Sequence, residues 1–366
     1  MKSSAYIATD ARDKFIDAAT AGLLDQAGYI SRSDKSLQYC GYSLREICRE
    51  ALKVAGRNDR PSMYHGGMTE LVGRAMTESD FPVLMANVAN KILFDEYEKA
   101  NETWQDWCSV GSIKDFKPTT IAKASEMPGL EPIINDTGYE YGKMSDSGET
   151  VQLGTFGKIY AFTRHSIIND DLQALVDSMK GMAETASRKV GDLAYAVLTS
   201  NAALSDGIDL FHADHSNLGT PGAVSELAIG EGIKLMGLQK DLLEERRLNI
   251  RPQYFIAPVA LEGAAEIFFL SNQFSLDDKG STRTNPYGGN RFTRVYDARL
   301  DDHSSTTWYL AGPKGKTVRI FFLKGHEKPT VETQDGWLAD GIEFKVRLDA
   351  AAKAVDYRAL VKNEGA

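Results

Sequence analysis

The chain has 366 residues, of which 42% are hydrophobic and 25% are charged, close to the averages of soluble globular proteins. This length predicts two or three structural units, and the composition argues against intrinsic disorder and fibrous repeats. Aspartate and glutamate (51) outnumber lysine and arginine (42), so the formal net charge is -9, which argues against a protein that coats nucleic acid.

The cysteines and the apolar segments bear on where the protein is made. Cys40, Cys48 and Cys108 are too few and too scattered for a disulfide framework, and they form no CxxC pair that would indicate zinc. The N-terminus lacks the apolar segment of a secretory signal. The most apolar stretch, 255–270, contains a proline and a glutamate and is shorter than the about 20 residues of a membrane helix. We therefore expect a protein made in a reducing compartment, with no membrane span.

The first quarter of the sequence is predicted to be helical. Apolar residues recur at helical spacing from Phe15 to Leu24. Ser43 and Glu46 form a capping box that predicts the start of a second helix, and a further helix is expected to begin near Asp80. We expect these helices to serve core packing.

The stretch 138–168 is predicted to be an extended hairpin, after strand-like residues at 109–125. Two strand-like arms flank the turn cluster 145–148, whose glycine, serines and aspartate favour a tight turn. A two-stranded hairpin is marginal in water, and this one has few apolar residues near its tip. It is therefore expected to lie on its own domain or, preferably, on a neighbouring subunit.

The longest predicted helix comes next and is expected to run to about Ser200, with Asn169 as its cap. At 1.5 Å per residue it would be about 45 Å long, several times the typical length. Gly181 and Gly191 each cost about 1 kcal/mol in a helix interior, so a bend or a close contact is expected there. Such a helix would be a spine onto which other elements dock.

The rest of the chain mixes helices with strands. A polar loop at 207–218 precedes a helix with apolar positions between 233 and 243, and another helix is expected at 261–270. Strands are predicted near 251–258, 306–310, 318–323, 343–348 and 355–360. This order of helices, hairpin, long helix, mixed segment and strands predicts an α+β fold.

Motifs of catalysis or cofactor binding are weak or incomplete. His212, Asp214 and His215 share a short loop and could hold a metal, but the HExxH pattern is absent. The segment 312–317 ends in GKT like a P-loop, yet it lacks the first glycine and precedes a strand, so a hairpin turn is predicted. We therefore expect no catalytic residue, no cofactor and no metal.

Several short motifs occur along the chain in an order typical of one protein family. They precede the hairpin, follow the spine helix and lie near the C-terminus: Ser79-Asp80-Phe81-Pro82, Ala89-Asn90-Lys91, Trp104, Phe211 to Leu218, Gly336-Trp337, Asp340-Gly341-Ile342, Phe344 to Arg347 and Asp356-Tyr357-Arg358. In these motifs the chain resembles the major capsid proteins of tailed phages with the Hong Kong 97 fold. It is most similar to Mu-like major head subunits and to the capsid part of prohead protease–major capsid fusion proteins.

The resemblance implies a division of the chain into six segments. These are an N-terminal helical arm (1–76), the N-terminal helix and strand of a peripheral domain (77–137), an extended loop or E-loop (138–168), the spine helix and following loop (169–217), an axial domain (218–310) and C-terminal strands returning to the peripheral domain (311–366).

The resemblance also implies a non-enzymatic subunit that self-assembles into pentamers and hexamers of an icosahedral head around double-stranded DNA. The E-loop would reach over the adjacent subunit, with contacts from Tyr139, Tyr141, Lys143, Val151, Leu153, Lys158, Tyr160 and Phe162. Expected partners are other copies, a portal, a prohead protease or scaffold, non-specifically packaged DNA and a decoration protein. The subunit would be assembled in the host bacterial cytoplasm and end in the virion, and its acidic balance fits an inner wall that repels DNA.

Two other interpretations stay open. An encapsulin-like shell around cargo enzymes shares the fold but generally lacks a helical segment like 1–76. A cytoplasmic metal-dependent hydrolase would use His212, Asp214 and His215 and would be a zinc-bound monomer. Under the capsid interpretation, deletion of 143–150 is expected to leave the subunit folded but to impair shell assembly.

Overall fold

The computed structural model describes residues 11–57, 67–122, 148–241, 246–275, 282–335 and 341–366. The helices of these residues are α1 (Ala11–Gln26), α2 (Leu44–Val54), α3 (Gly67–Glu78), α4 (Phe81–Lys99), α5 (Trp104–Trp107), α6 (Arg164–Ile168), α7 (Leu172–Ser200), α8 (Glu226–Gly237), α9 (Glu262–Leu270) and α10 (Ala298–Asp301). The strands are β1 (Ser109–Ile113), β2 (Thr119–Ala122), β3 (Gly148–Val151), β4 (Gly154–Thr163), β5 (Tyr254–Ala257), β6 (Gln273–Ser275), β7 (Thr282–Thr284), β8 (Thr293–Tyr296), β9 (Trp308–Ala311), β10 (Val318–Leu323), β11 (Thr330–Asp335), β12 (Gly341–Ala354) and β13 (Leu360–Asn363). Among the described helices, none has the length and apolarity that crossing a bilayer requires.

These elements form two compact units. The first unit draws on Met1–Asn101, Thr155–Arg188 and His326–Asp349, and the second on Glu102–Gly154, Lys189–Gly325 and Ala350–Ala366. Both units contain part of α7 and part of β12. The six-segment division implied by the resemblance stays a prediction.

The first unit is built around the N-terminal helices, as their apolar periodicity predicts. The capping box of α2 is present, because the Ser43 side chain accepts from the backbone N of Glu46 and the Glu46 carboxylate accepts from the backbone N of Ser43 at 2.8 Å. The core joins these helices to α4, α7 and β12, and it includes Phe15, Leu24, Ile47, Val72, Phe81, Leu84, Leu175, Met179 and Phe344. Beside it, β12 pairs antiparallel with β11 and also pairs with β4.

The second unit contains two sheets. In one, β1 runs parallel to β10, which pairs antiparallel with the C-terminal part of β12. The other has the order β13-β9-β5-β8 and shares a core with α8 and α9 that includes Ile229, Met236, Phe255, Phe269, Trp308, Leu310 and Val361. The hairpin turn predicted at 312–317 is wrong, because β9 and β10, which this segment connects, pair with different strands.

Two elements of the second unit differ from the predicted bounds. The helix expected around 233–243 begins earlier, at Glu226, because the Ser225 side chain accepts from the backbone N of Ala228 and caps it. The strand expected at 355–360 begins only at Leu360, after a short 3-10 turn. In both cases local hydrogen bonding moves the end of an element that periodicity locates only approximately.

The spine helix α7 spans 29 residues, close to the predicted extent. Its predicted cap is wrong: Asn169 ends α6, and Asp171 accepts from the backbone N of Ala174 at 3.0 Å. Asp170, between them, has a φ of 61°, which is uncommon for any residue except glycine. The chain thus ends one helix and starts another within three residues.

Candidate assembly surface

The predicted E-loop, 138–168, is described from Gly148 onward. Three of the residues expected to contact a neighbour lie outside the described residues: Tyr139, Tyr141 and Lys143. The last five residues of the predicted hairpin, 164–168, form α6 and not a strand. The Thr163 side chain accepts from the backbone N of Ser166 at 3.3 Å, and this cap ends β4.

The base of the loop, β3, is packed into its own unit. Val151 and Leu153 are only 5% and 6% exposed, and they share a small core with Ile113 and Phe321. Both were expected to touch an adjacent subunit, but their side chains are enclosed by the same chain. We therefore do not carry them into the assembly surface.

A buried carboxylate reinforces this base. Glu149 is 1% exposed and accepts hydrogen bonds from the backbone N and Oγ of Ser205 at 3.1 and 2.8 Å. Lys353 Nζ lies 3.9 Å from the same side chain. A buried carboxylate is retained only when such partners compensate its lost hydration, so β3 is fixed to the segment that follows the spine helix.

The strand that leaves the loop, β4, presents both buried and exposed side chains. Phe162 is fully buried in the first unit's core, and Tyr160 packs against that core while remaining partly exposed. Lys158 is exposed, and the neighbouring Ile159 is 58% exposed. Of the predicted contact residues, Phe162 is thus enclosed by its own chain, whereas Lys158 and Tyr160 remain available and their contact with a neighbour stays a prediction.

The strand β4 lies against β12 on one side. Among the described strands it pairs only with β12, and Gly157 lies so close to β12 that an added Cβ would be 2.8 Å from the carbonyl oxygen of Val346. An edge strand is the usual template for strand addition, and within the described residues no second strand pairs with β4. We call the exposed residues Lys158 and Ile159 of β4 the assembly edge.

Ile159 was missed by sequence reasoning, although a signal for it existed. Side chains alternate along a strand, so the inward positions of Tyr160 and Phe162 direct Ile159 outward. An exposed apolar side chain on a strand is a candidate contact with another protein surface.

A second exposed apolar surface lies on α9. Ala265 and Phe269 are fully buried in the second unit's core, whereas Ile267 and Leu270 are 72% and 63% exposed. A helix that is apolar on both faces can bury only its inner face in its own core, so its outer face is exposed to solvent in the isolated chain. This outer face of α9 is a further surface on which subunits can pack.

The loop with two histidines has a structural role. The His215 ring is buried, stacks on Tyr357 at a centroid distance of 3.8 Å and lies 3.2 Å from the carbonyl oxygen of Leu210 through Nδ1. Its Nε2 is 3.1 Å from Asp206. Both ring nitrogens are therefore occupied by groups of the same chain.

The other two proposed metal ligands do not converge with His215. His212 Nδ1 accepts from the backbone N of Asp214 at 3.2 Å, and both side chains are exposed. Within the part of the chain that the structure describes, no group of three histidine, cysteine, aspartate or glutamate residues is placed to hold a metal ion. The geometry is that of a hydrogen-bonded turn.

The buried thiols are also unsuited to nucleophilic chemistry. Burial raises the pKa of the Cys48 thiol, with a further contribution from the Asp170 carboxylate, and burial likewise raises the pKa of Cys108. A thiolate is the reactive form of cysteine, so both side chains act as small apolar core residues.

A family model described as phage capsid protein matches residues 148–363, more than half of the chain. The chain belongs to the phage capsid protein family. The match begins at β3 and covers the assembly edge, the spine helix and every strand of the second unit's two sheets except β1. It makes this chain a structural capsid protein, and membership in the protease-fusion group stays a prediction.

A solved capsid structure agrees in fold, and two further structures are similar at lower scores. The capsid of a native GTA particle is 12% identical with a TM-score of 0.50, covering 73% of this chain and 91% of that chain. The capsid of Myoviridae phage XM1 is 14% identical (TM-score 0.44, 73% and 94% covered). The holo-SrpI encapsulin complex from Synechococcus elongatus PCC 7942 is 10% identical (TM-score 0.46, 73% and 88% covered). A search of curated proteins gave no match. The predicted α+β capsid fold of the Hong Kong 97 type is confirmed.

Proposed function

We propose that this capsid protein is the shell-forming subunit of a phage head, assembling into pentamers and hexamers that close an icosahedral shell around double-stranded DNA. The observation that carries the proposal is the family match over 148–363, joined to a surface suited to self-association. Assembly would take place in the host bacterial cytoplasm, with a portal and a prohead protease or scaffold as further partners.

The exposed apolar groups support self-association. Shell interfaces need buried area, about 1,200–2,000 Å² for a stable contact, and the assembly edge and the outer face of α9 offer apolar side chains without cover in the single chain. An edge strand adds backbone hydrogen bonds to that area. A heterologous contact between different surfaces of identical copies forms a ring when the rotation between copies closes, and rings of five and six copies are pentamers and hexamers.

The net charge of -9 supports weak, non-specific contact between the subunit and the packaged DNA. Tight nucleic-acid binding depends on clustered lysine and arginine and on the release of counterions. An acidic subunit would enclose packaged DNA without holding it. A strongly basic inner wall would contradict this part of the proposal.

Electron microscopy and nuclease protection of the purified full-length protein test the proposal. We expect closed shells or rings of subunits, and in particles from infected cells a DNA genome protected from nuclease. Shells that contain protein cargo and no nucleic acid would favour the encapsulin alternative. A uniform 40.2 kDa monomer at all concentrations would overturn the shell function.

A further inference from the structure

The junction between α6 and α7 is held by a helix far away in sequence. The Asp170 carboxylate accepts a hydrogen bond from the backbone N of Leu44 at 2.5 Å, across 126 positions of the chain. Leu44 is the first residue of α2, so this N–H is one of the four that a helix leaves without an internal partner. The carboxylate also stands at the positive end of the helix dipole.

This bond fixes a residue whose backbone needs support. Asp170 has a φ of 61°, a left-handed conformation that persists in residues other than glycine when surrounding contacts hold it. The backbone N of Asp171 donates to the carbonyl oxygen of Ser166 at 2.9 Å, closing the turn on the other side. The backbone conformation of Asp170 therefore determines how β4 and α6 are oriented relative to the spine helix α7.

The first three helices also cover the two elements that meet at this junction. α2 and α3 both contact α6. One hydrophobic core contains residues of α1 to α3 together with the end of β4, α6 and the start of α7; its fully buried members include Leu24, Ile47, Val72, Phe162, Ile167, Leu175 and Met179. Loss of these helices would expose aromatic and aliphatic side chains of β4 and α7 to water.

The arrangement differs from that of a removable segment. A segment discarded during assembly needs few contacts with the part that remains, since each buried apolar side chain opposes its departure. Here α1 to α3 contribute a large share of the first unit's core, and Tyr29 of this region also donates to Glu96 of α4 at 3.0 Å.

We propose that residues 11–57 and 67–78 act as a clamp that fixes the α6–α7 junction through Leu44 and Asp170, and that this clamp remains part of the subunit in the assembled shell. The clamp holds the assembly edge of β4 in one direction relative to the first unit's core. Its second part, retention in the shell, rests on the proposed function; its first part concerns the single chain.

Hydrogen–deuterium exchange of the unassembled full-length chain tests the clamp. Asp170→Gly relieves the backbone conformation but removes the acceptor, whereas Asp170→Asn keeps an acceptor oxygen and tolerates positive φ. We expect exchange in peptides covering 162–174 to rise about tenfold in Asp170→Gly, and to stay near the wild-type rate in Asp170→Asn and in Asp177→Asn, a control on the exposed face of α7. Unchanged exchange in Asp170→Gly would overturn the clamp.

Peptide mapping by mass spectrometry of subunits from mature particles tests retention. We expect peptides of α1 to α3 in the same molar amount as peptides of α7, and their absence would overturn retention. If Asp170→Gly does not fold, as judged by circular dichroism, while Asp170→Asn does, the acceptor is required and the clamp is supported. If no shells form at all, the proposed function fails, and the exchange data still decide the clamp.

Discussion

Glu149 and Ser205 are joined by two hydrogen bonds that fix β3, the base of the predicted E-loop. Both the backbone N and the Oγ of Ser205 donate to the Glu149 carboxylate, which is almost completely buried. Ser205 follows the spine helix within a few residues, so β3 is held by the segment at the helix end.

Substitution of Glu149 should lower the stability of the subunit. Glu149→Ala leaves the Ser205 donors without their partner and removes a compensating charge near Lys353, and we expect a loss of about 2–3 kcal/mol. Urea unfolding of the unassembled protein measures it. The control is Glu184→Ala, whose exposed pair with Arg188 should contribute less than about 0.5 kcal/mol. Equal effects of the two substitutions would contradict the role assigned to Glu149.

The same residue changes the expectation for a loop deletion. Removal of 143–150 was expected to spare the fold, but it removes Glu149 and most of β3. We now expect this deletion to lower the melting temperature of the unassembled subunit by several degrees as well as to impair assembly. An unchanged melting temperature would show that β3 is dispensable for the fold.

The two glycines of the spine helix should respond oppositely to alanine. At Gly191 an added Cβ would lie 2.8 Å from Arg299 Cζ and from Glu102 Oε2, whereas at Gly181 it would meet no described atom within 4 Å. We expect Gly191→Ala to destabilise the protein by about 1–3 kcal/mol, because Arg299 must leave its contacts with Glu102 and Asp192. Gly181→Ala should stabilise it by up to about 1 kcal/mol through helix propensity. Urea unfolding checks both, and a shared sign would contradict the close-contact explanation.

A charge on the assembly edge should block shell formation. Ile159→Asp places an unpaired carboxylate where we expect another subunit to pack, and we expect the protein concentration needed for assembly to rise at least about tenfold. Sedimentation velocity measures it. Leu37→Asp is the matched control, because Leu37 is 56% exposed against 58% for Ile159 and lies outside the edge. Equal assembly of both variants, with melting temperatures unchanged, would remove β4 from the interface.

Alkaline pH should destabilise the fold. Burial raises the pKa of Tyr97 to about 12, and it also raises the pKa values of Tyr195 and Tyr309. The unfolded chain loses its phenolic protons near pH 10 while the folded chain keeps them, so the free energy of unfolding should fall as pH rises from about 10 to 12. Urea unfolding across this range measures the fall, and Tyr97→Phe should make it shallower. An identical slope in that variant would argue against Tyr97 as a contributor.

Much of the framework could be predicted from short-range patterns. The capping box at Ser43 and the extent of α7 depend on residues within a few turns of one another. The cost of a glycine inside a helix indicated a special role for Gly191, but its partners Arg299 and Glu102 lie about 100 positions away and were not predicted. Family motifs spread along the chain indicated the capsid fold. The exposed position of Ile159 also followed from alternation once the inward neighbours were known.

The helical N-terminal quarter and the spine helix follow from periodicity and capping, which depend on residues close together along the chain, and the family follows from the order of short local motifs. The enclosure of Val151, Leu153 and Phe162, the pairing of β9 and β10 with different strands, and the contact between Asp170 and Leu44 became visible only in the folded chain. These outcomes depend on contacts between segments that are far apart in the sequence. The free energy of burying a side chain is set by those distant partners, and no local pattern specifies them.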